Sequence, residues 1–119
     1  MTIGIGVVGA GIMGADHART LATHVGGAEL VAVSDPDERR ASEAARANGA
    51  RRHYTDGFAL IEDEAVEAVV IASPDHTHAG LVLACLRTGK PVLCEKPVAP
   101  TVGECLELVE AERRTGRMI

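Results

Sequence analysis

The stretch GVVGAGIMGADHA, from Gly6 to Ala18, limits the possible folds more than any other part of the chain. It sets three glycines at the spacing Gly-x-Gly-x-x-Gly directly behind an apolar run. Turns use glycine freely, so the triplet alone says little and its context decides. Ile3 to Val8 reads as a strand apolar on both faces, and Ile12 to His24 as a helix. In that setting Gly9 allows a tight turn, Gly11 lets a diphosphate approach the main chain, and Gly14 permits close helix-to-strand packing. The amides of Ile12 and Met13, with the positive end of the helix dipole, would face the phosphates.

The same alternation continues along the chain. Strands are expected at Glu29 to Ser34, Ala68 to Ala72 and Pro91 to Cys94, and helices at Pro36 to Asn48, Asp75 to Thr88 and Val102 to Thr115. A weaker pair, Arg52 to Tyr54 and Gly57 to Glu62, fits a short strand and helix. Pro36 suits a first helical turn, Asn48-Gly49 and Gly89 suit helix stops, and Thr101-x-x-Glu104 is a capping box. Val102, Cys105, Leu106 and Val109 form the apolar face of the last helix. Such a βαβ series predicts an α/β fold of Rossmann type: a doubly wound parallel sheet in the order 3-2-1-4-5, with ligands beyond the carboxyl ends of its strands.

A chain of 119 residues with 46% hydrophobic content suffices for one domain without disulfides or a structural metal. With a net charge of −5 and arginines scattered as short pairs, it offers no basic stripe for nucleic acid. Short apolar runs and a strand directly after Met1 predict neither a membrane span nor a leader, and so a cytoplasmic protein. Cys85, Cys94 and Cys105 are expected to be buried thiols. Aromatics at 2% leave a ligand to be held mainly by backbone and polar groups.

A dinucleotide fingerprint also needs an acid about 20 residues on, to accept hydrogen bonds from the adenosine ribose. Asp35 stands there, and its charge would repel a 2′-phosphate, favouring NAD over NADP. Arg40 and its neighbour Arg39 moderate that preference, because arginine pairs with phosphate. The competing reading is a plain βα turn with Asp35 capping the second helix.

After the fourth strand, Ser73-Pro74-Asp75-His76-Thr77-His78 falls where the nicotinamide half would lie, making Ser73, Pro74, Asp75 and His78 candidate contacts. Taken alone, Asp75 is a helix cap and His78 a polar residue of the first turn. The His-x-His pair lacks the further ligands that a zinc site requires, so no metal is expected. The fifth strand then runs into Glu95-Lys96-Pro97.

Taken together, the glycine turn, the acid ending the second strand, Ala72-Ser73-Pro74 with a histidine after it, Gly89-Lys90 and Glu95-Lys96-Pro97 resemble the glucose-fructose oxidoreductase, inositol dehydrogenase and rhizopine-catabolism (Gfo/Idh/MocA) oxidoreductases. The likeness covers essentially the whole chain, and Pro91 to Val98 is most similar to the bacterial inositol 2-dehydrogenase branch. It implies that Lys96 lies near both the nicotinamide ribose and the substrate hydroxyl as the catalytic residue, that Glu95 supports the site, and that the Lys96-Pro97 bond is cis. It also implies hydride transfer between a polyol or sugar hydroxyl and NAD, in a homo-oligomer. Members often carry Asn where this chain has Asp75, which removes an amide contact to the ribose.

Residues 1–119 correspond to the nucleotide domain alone. Family members continue into a second α/β domain that binds substrate, builds the oligomer and supplies an Asp and a His to catalysis. The expectation is a shortened chain that binds NAD without turnover, with the edge of its fifth strand bare and prone to pair with another copy. A non-catalytic dinucleotide-binding module, or a reductase of an imine or other carbonyl substrate, stays open as an alternative.

Overall fold

The computed structural model describes residues 1–119. Five parallel strands, β1 (Ile3–Val8), β2 (Ala28–Ser34), β3 (Arg52–Tyr54), β4 (Ala68–Ile71) and β5 (Val92–Cys94), form one sheet in the order β3-β2-β1-β4-β5. Between them run α1 (Ile12–Thr23), α2 (Glu38–Ala47), α3 (Gly57–Glu62), a 3-10 turn (Asp75–Thr77) leading into α4 (His78–Arg87), and α5 (Val102–Thr115). The order reverses between β1 and β4, and this switch point opens a crevice at the carboxyl edge.

Successive strand residues face opposite sides of the sheet, so the continuous apolar runs feed two cores. Val8, Val69 and Ile71 pack with Leu60 and Ile61 of α3, Val82 of α4 and Leu108 of α5. Val7, Val33 and Val70 pack on the other face with Ala18 of α1 and Ala45 of α2. Burying side chains such as Leu60, Ile71 and Leu108 contributes roughly 1.5–3 kcal/mol each. No helix is long and apolar enough to cross a membrane.

Five local expectations change. Pro36 precedes α2 instead of joining it, because the Asp37 carboxylate accepts from the amides of Arg39 and Arg40 and starts the helix at Glu38. Asp75 caps nothing: the chain makes a 3-10 turn after Pro74, closed by the Thr77 hydroxyl donating to the Pro74 carbonyl at 2.6 Å. In α5 the expected inward face is largely outward, with Val102, Leu106 and Val109 exposed and Cys105 half-buried, while Leu108 and Ala111 reach the core. The edge of β5 is partly covered, since the Val92 amide donates to the Met118 carbonyl at 3.0 Å. Among the cysteines Cys85 is fully buried, but Cys94 and Cys105 are half-exposed. Burial pushes the Cys85 thiol up to about 12 and the Cys94 thiol up to about 11, which keeps both protonated and unreactive at neutral pH.

Away from the crevice, Asp63 ties α3 to β3. Its carboxylate takes both oxygens' worth of contact from Arg52 at 2.6 Å, and accepts from the Tyr54 hydroxyl at 2.8 Å and the Ala65 amide at 2.9 Å. Lys90 Nζ donates to the Ile61 and Asp63 carbonyls nearby.

Candidate dinucleotide site

The turn from β1 into α1 is built for a close approach. Gly9 has φ +100° and donates to the Ser34 carbonyl at 2.8 Å, and a Cβ there would strike the Ala72 backbone. A Cβ on Gly14 would fall inside the Gly9 carbonyl, so only glycine lets the helix start this close to the strand. Gly11, the N-cap of α1, is different: a Cβ there would meet nothing within 4 Å, and no side chain caps the helix. The first-turn amides of Ile12 and Met13 are thus left without a capping acceptor, which is the arrangement that receives an anion.

A crevice of about 1050 Å³ opens in front of this turn, large enough for a dinucleotide half. Of the sequence candidates, Gly9, Gly11, Ile12, Met13, Asp35, Arg40, Ser73 and Pro74 line it. Asp35 Oδ2 accepts from the Ala10 amide at 3.0 Å and Oδ1 from the Asp37 amide at 2.9 Å. It therefore braces the glycine turn and leaves the capping of α2 to Asp37. Each carboxylate oxygen keeps a further lone pair for a ribose hydroxyl. Arg39 turns away to Glu43 at 2.9 Å, whereas Arg40 faces the crevice with its Nε 3.9 Å from Asp37.

Several lining residues had no signature in the sequence. Thr55, Asp56 and Phe58, from the start of α3, form one wall, and His76 and Thr77 belong to the opposite side. Phe58 is the chain's one phenylalanine and stands half-exposed beside Gly80, giving the crevice an apolar flank that composition alone did not promise. At the floor, Ser34 Oγ is buried without any hydrogen-bond partner. An unsatisfied buried hydroxyl costs about 1–3 kcal/mol, so it is suited to a polar ligand atom or a water.

Gly14, Asp75, His78, Glu95 and Lys96 lie outside the crevice lining. Asp75 is at the surface. His78 is 1% exposed and its two ring nitrogens face main-chain carbonyls, Nδ1 at 2.7 Å from Pro97 and Nε2 at 2.8 Å from Ser73. The expected cofactor contact is thus corrected to a tie between the Ser73 loop, which lines the crevice, and the Pro97 loop after β5. Ser73 donates to Thr77 Oγ1 at 2.6 Å, since the Thr77 hydrogen is given to Pro74. The Lys96-Pro97 bond is cis, and the Lys96 side chain is exposed.

His17, on the second turn of α1, carries no motif in the sequence. Its Nε2 lies 2.7 Å from Glu95 Oε1. That hydrogen bond, with smaller help from the His17 charge and the Lys96 amide, holds the Glu95 carboxyl below the usual carboxylate range.

An uncapped helix start, an acid ending β2 and a crevice at the switch point define a dinucleotide-binding domain. The chain belongs to the Gfo/Idh/MocA oxidoreductases: that family, described as an oxidoreductase family with an NAD-binding Rossmann fold, matches residues 3–119. It is 60% identical over 118 residues to inositol 2-dehydrogenase 2 of Saccharopolyspora erythraea, covering 98% of this chain and 34% of that protein. It is 55% identical over 117 residues to inositol 2-dehydrogenase of Rubrobacter xylanophilus, covering 98% and 33%. In three dimensions it matches myo-inositol dehydrogenase from Lactobacillus casei in complex with NAD(H) and myo-inositol, with a TM-score of 0.91 and 35% identity over 96% of this chain and 34% of that one. The chain spans about a third of the length of these relatives.

The residues present fit the cofactor. The cradle at Gly11 is open where a Cβ would otherwise sit, and the only orphaned buried side-chain atom, Ser34 Oγ, is on the crevice floor.

Proposed function

We propose that this chain is the cofactor-holding part of an NAD-dependent inositol dehydrogenase. Gly9, Gly11, Ile12, Met13 and Gly14 shape the diphosphate cradle, Asp35 grips the adenosine ribose, and Ser73 and Pro74 border the nicotinamide side. NAD supplies the hydride acceptor when bound. Lys96 is the catalytic residue: its ammonium stands beside the reacting oxygen and stabilises the negative charge that builds on it while the hydroxyl proton passes to a base of the further domain. Glu95 keeps that segment in place. The substrate is a cyclic polyol held mainly by a further domain, which also builds a homo-oligomer, and the protein works in the cytoplasm.

The observation that carries this reading is the crevice formed by the glycine cradle and Asp35, at the same carboxyl edge of the sheet where β5 runs into Glu95-Lys96-Pro97, in a chain 60% identical to an inositol 2-dehydrogenase. Calorimetry of the chain with NAD and NADP tests it. Heat with NAD at micromolar to millimolar concentration is expected, and weaker heat with NADP; no heat with either would overturn it. In a longer protein carrying this domain, Lys96→Met should abolish polyol-dependent NAD reduction while NAD affinity stays within about three-fold.

A further inference from the structure

The contact between His17 and Glu95 plays no part in the cofactor cradle, yet it bridges 78 residues of sequence across the carboxyl edge. The two side chains are 29% and 27% exposed, so water screens the pair less than it does the helix-surface pairs Arg39–Glu43 and Arg113–Glu110. Elsewhere α1 packs chiefly on β1, β2 and α2, and Leu93 of β5 is left exposed. The Glu95 amide anchors the main chain to the Ile71 carbonyl of β4 at 2.9 Å, and the His17–Glu95 contact is what ties the side chain at that end to α1. The ionised carboxylate can only accept, so the shared proton sits on His17 Nε2. On its other side Glu95 is followed at once by Lys96, whose amide also favours the charged carboxylate.

We propose that His17 is a positioning residue, which through its hydrogen bond to Glu95 fixes the segment carrying Lys96 and so sets where the ammonium meets the substrate oxygen. The proposal rests on the role given above to Lys96. It deepens that role by making the helix that starts at the phosphate cradle also the support of the reacting group. One rigid element then registers the catalytic lysine against the cofactor, as preorganised sites require.

The chain holds two lysines, Lys90 and Lys96, so a sample labelled with ¹⁵N-lysine shows two backbone amide signals. In His17→Ala the Lys96 amide is expected to shift and gain mobility while Lys90 stays unchanged, and His17→Gln, whose amide nitrogen can still donate to Glu95, should restore the native signal. Should His17→Ala fail to fold, His17→Leu fills the same space without a donor, breaks the same contact and carries the same expectation. In a longer protein with this domain, His17→Ala should lower kcat about 10- to 100-fold with KM for NAD within about two-fold, and His17→Gln should recover most of it. An unmoved Lys96 signal, or a Gln variant no better than Ala, would overturn the proposal. Calorimetry separates the two readings: failure to bind NAD sinks the cofactor assignment, whereas normal NAD binding with an unmoved Lys96 sinks only the role of His17.

Discussion

The Asp35 carboxylate bonds two main-chain amides, Ala10 and Asp37, before any ligand arrives. On the proposed reading, removing it takes away a ribose acceptor and, with the two amide contacts, the brace of the glycine turn. Asp35→Ala should therefore weaken NAD binding by about tenfold or more, the scale of a lost charge-assisted hydrogen bond, as read by calorimetry. It should also fail to raise NADP binding to the native NAD level, because the cradle that both cofactors need has lost its brace. Gly14 makes a second demand at this scale. A methyl group there meets the Gly9 carbonyl, so Gly14→Ala should lower stability by about 1–3 kcal/mol in denaturant titration. Gly11→Ala should leave folding unchanged and impair the cofactor instead, since its surroundings are open.

Among the elements, β3 and α3 are held by the Asp63 cluster. The Asp63 side chain is 4% exposed, and the Arg52 hydrogen bonds, chiefly, lower its carboxyl to about 2 from an ordinary 3.8. A folded-state pKa below the unfolded one gives stability that is complete above pH 4 and lost as pH falls through 2. Because Arg52 is half-exposed, the contribution is on the order of 1–2 kcal/mol, and Asp63→Asn should remove it and flatten the acid limb of the stability curve. Helix α5 tests the face correction: Leu108→Ala should cost about 2–5 kcal/mol, and Leu106→Ala no more than about 0.5 kcal/mol. The helix itself was legible, down to its Thr101 cap, because capping is local. Which face turns inward depends on where the sheet lies, and the stripe Val102, Leu106, Val109 gives no sign of that. The start of α2 was misplaced for a similar reason, as both Pro36 and Asp37 are plausible openers and the hydrogen bonds of Asp37 decide.

For the whole molecule, the strand order followed from continuous apolar runs and short connections, since a right-handed βαβ series leaves few other arrangements. The glycine cradle and Asp35 were readable because each sits at the junction of two patterned segments. Thr55, Phe58 and His17 were not, for they reach the carboxyl edge only after crossovers bring distant segments together. A ligand that binds only the folded chain stabilises it, so NAD at 100 times its Kd should add about 2.7 kcal/mol, visible as a rise in melting temperature. At the same NAD concentration that shift should fall to about half or less in a chain lacking Asp35 and persist in one lacking the Lys96 amine.

The buried ring of His78 lies between the carbonyls of Ser73 and Pro97, and so links the loop after β4, which lines the crevice, to the Pro97 loop after β5. Displacing one loop should drag the other along, so the Ser73 side of the mouth is expected to hold its shape between visits of the dinucleotide. Hydrogen exchange at residues 73–77 and 95–98 should accordingly speed up together when an apolar ring replaces the imidazole, as in His78→Phe.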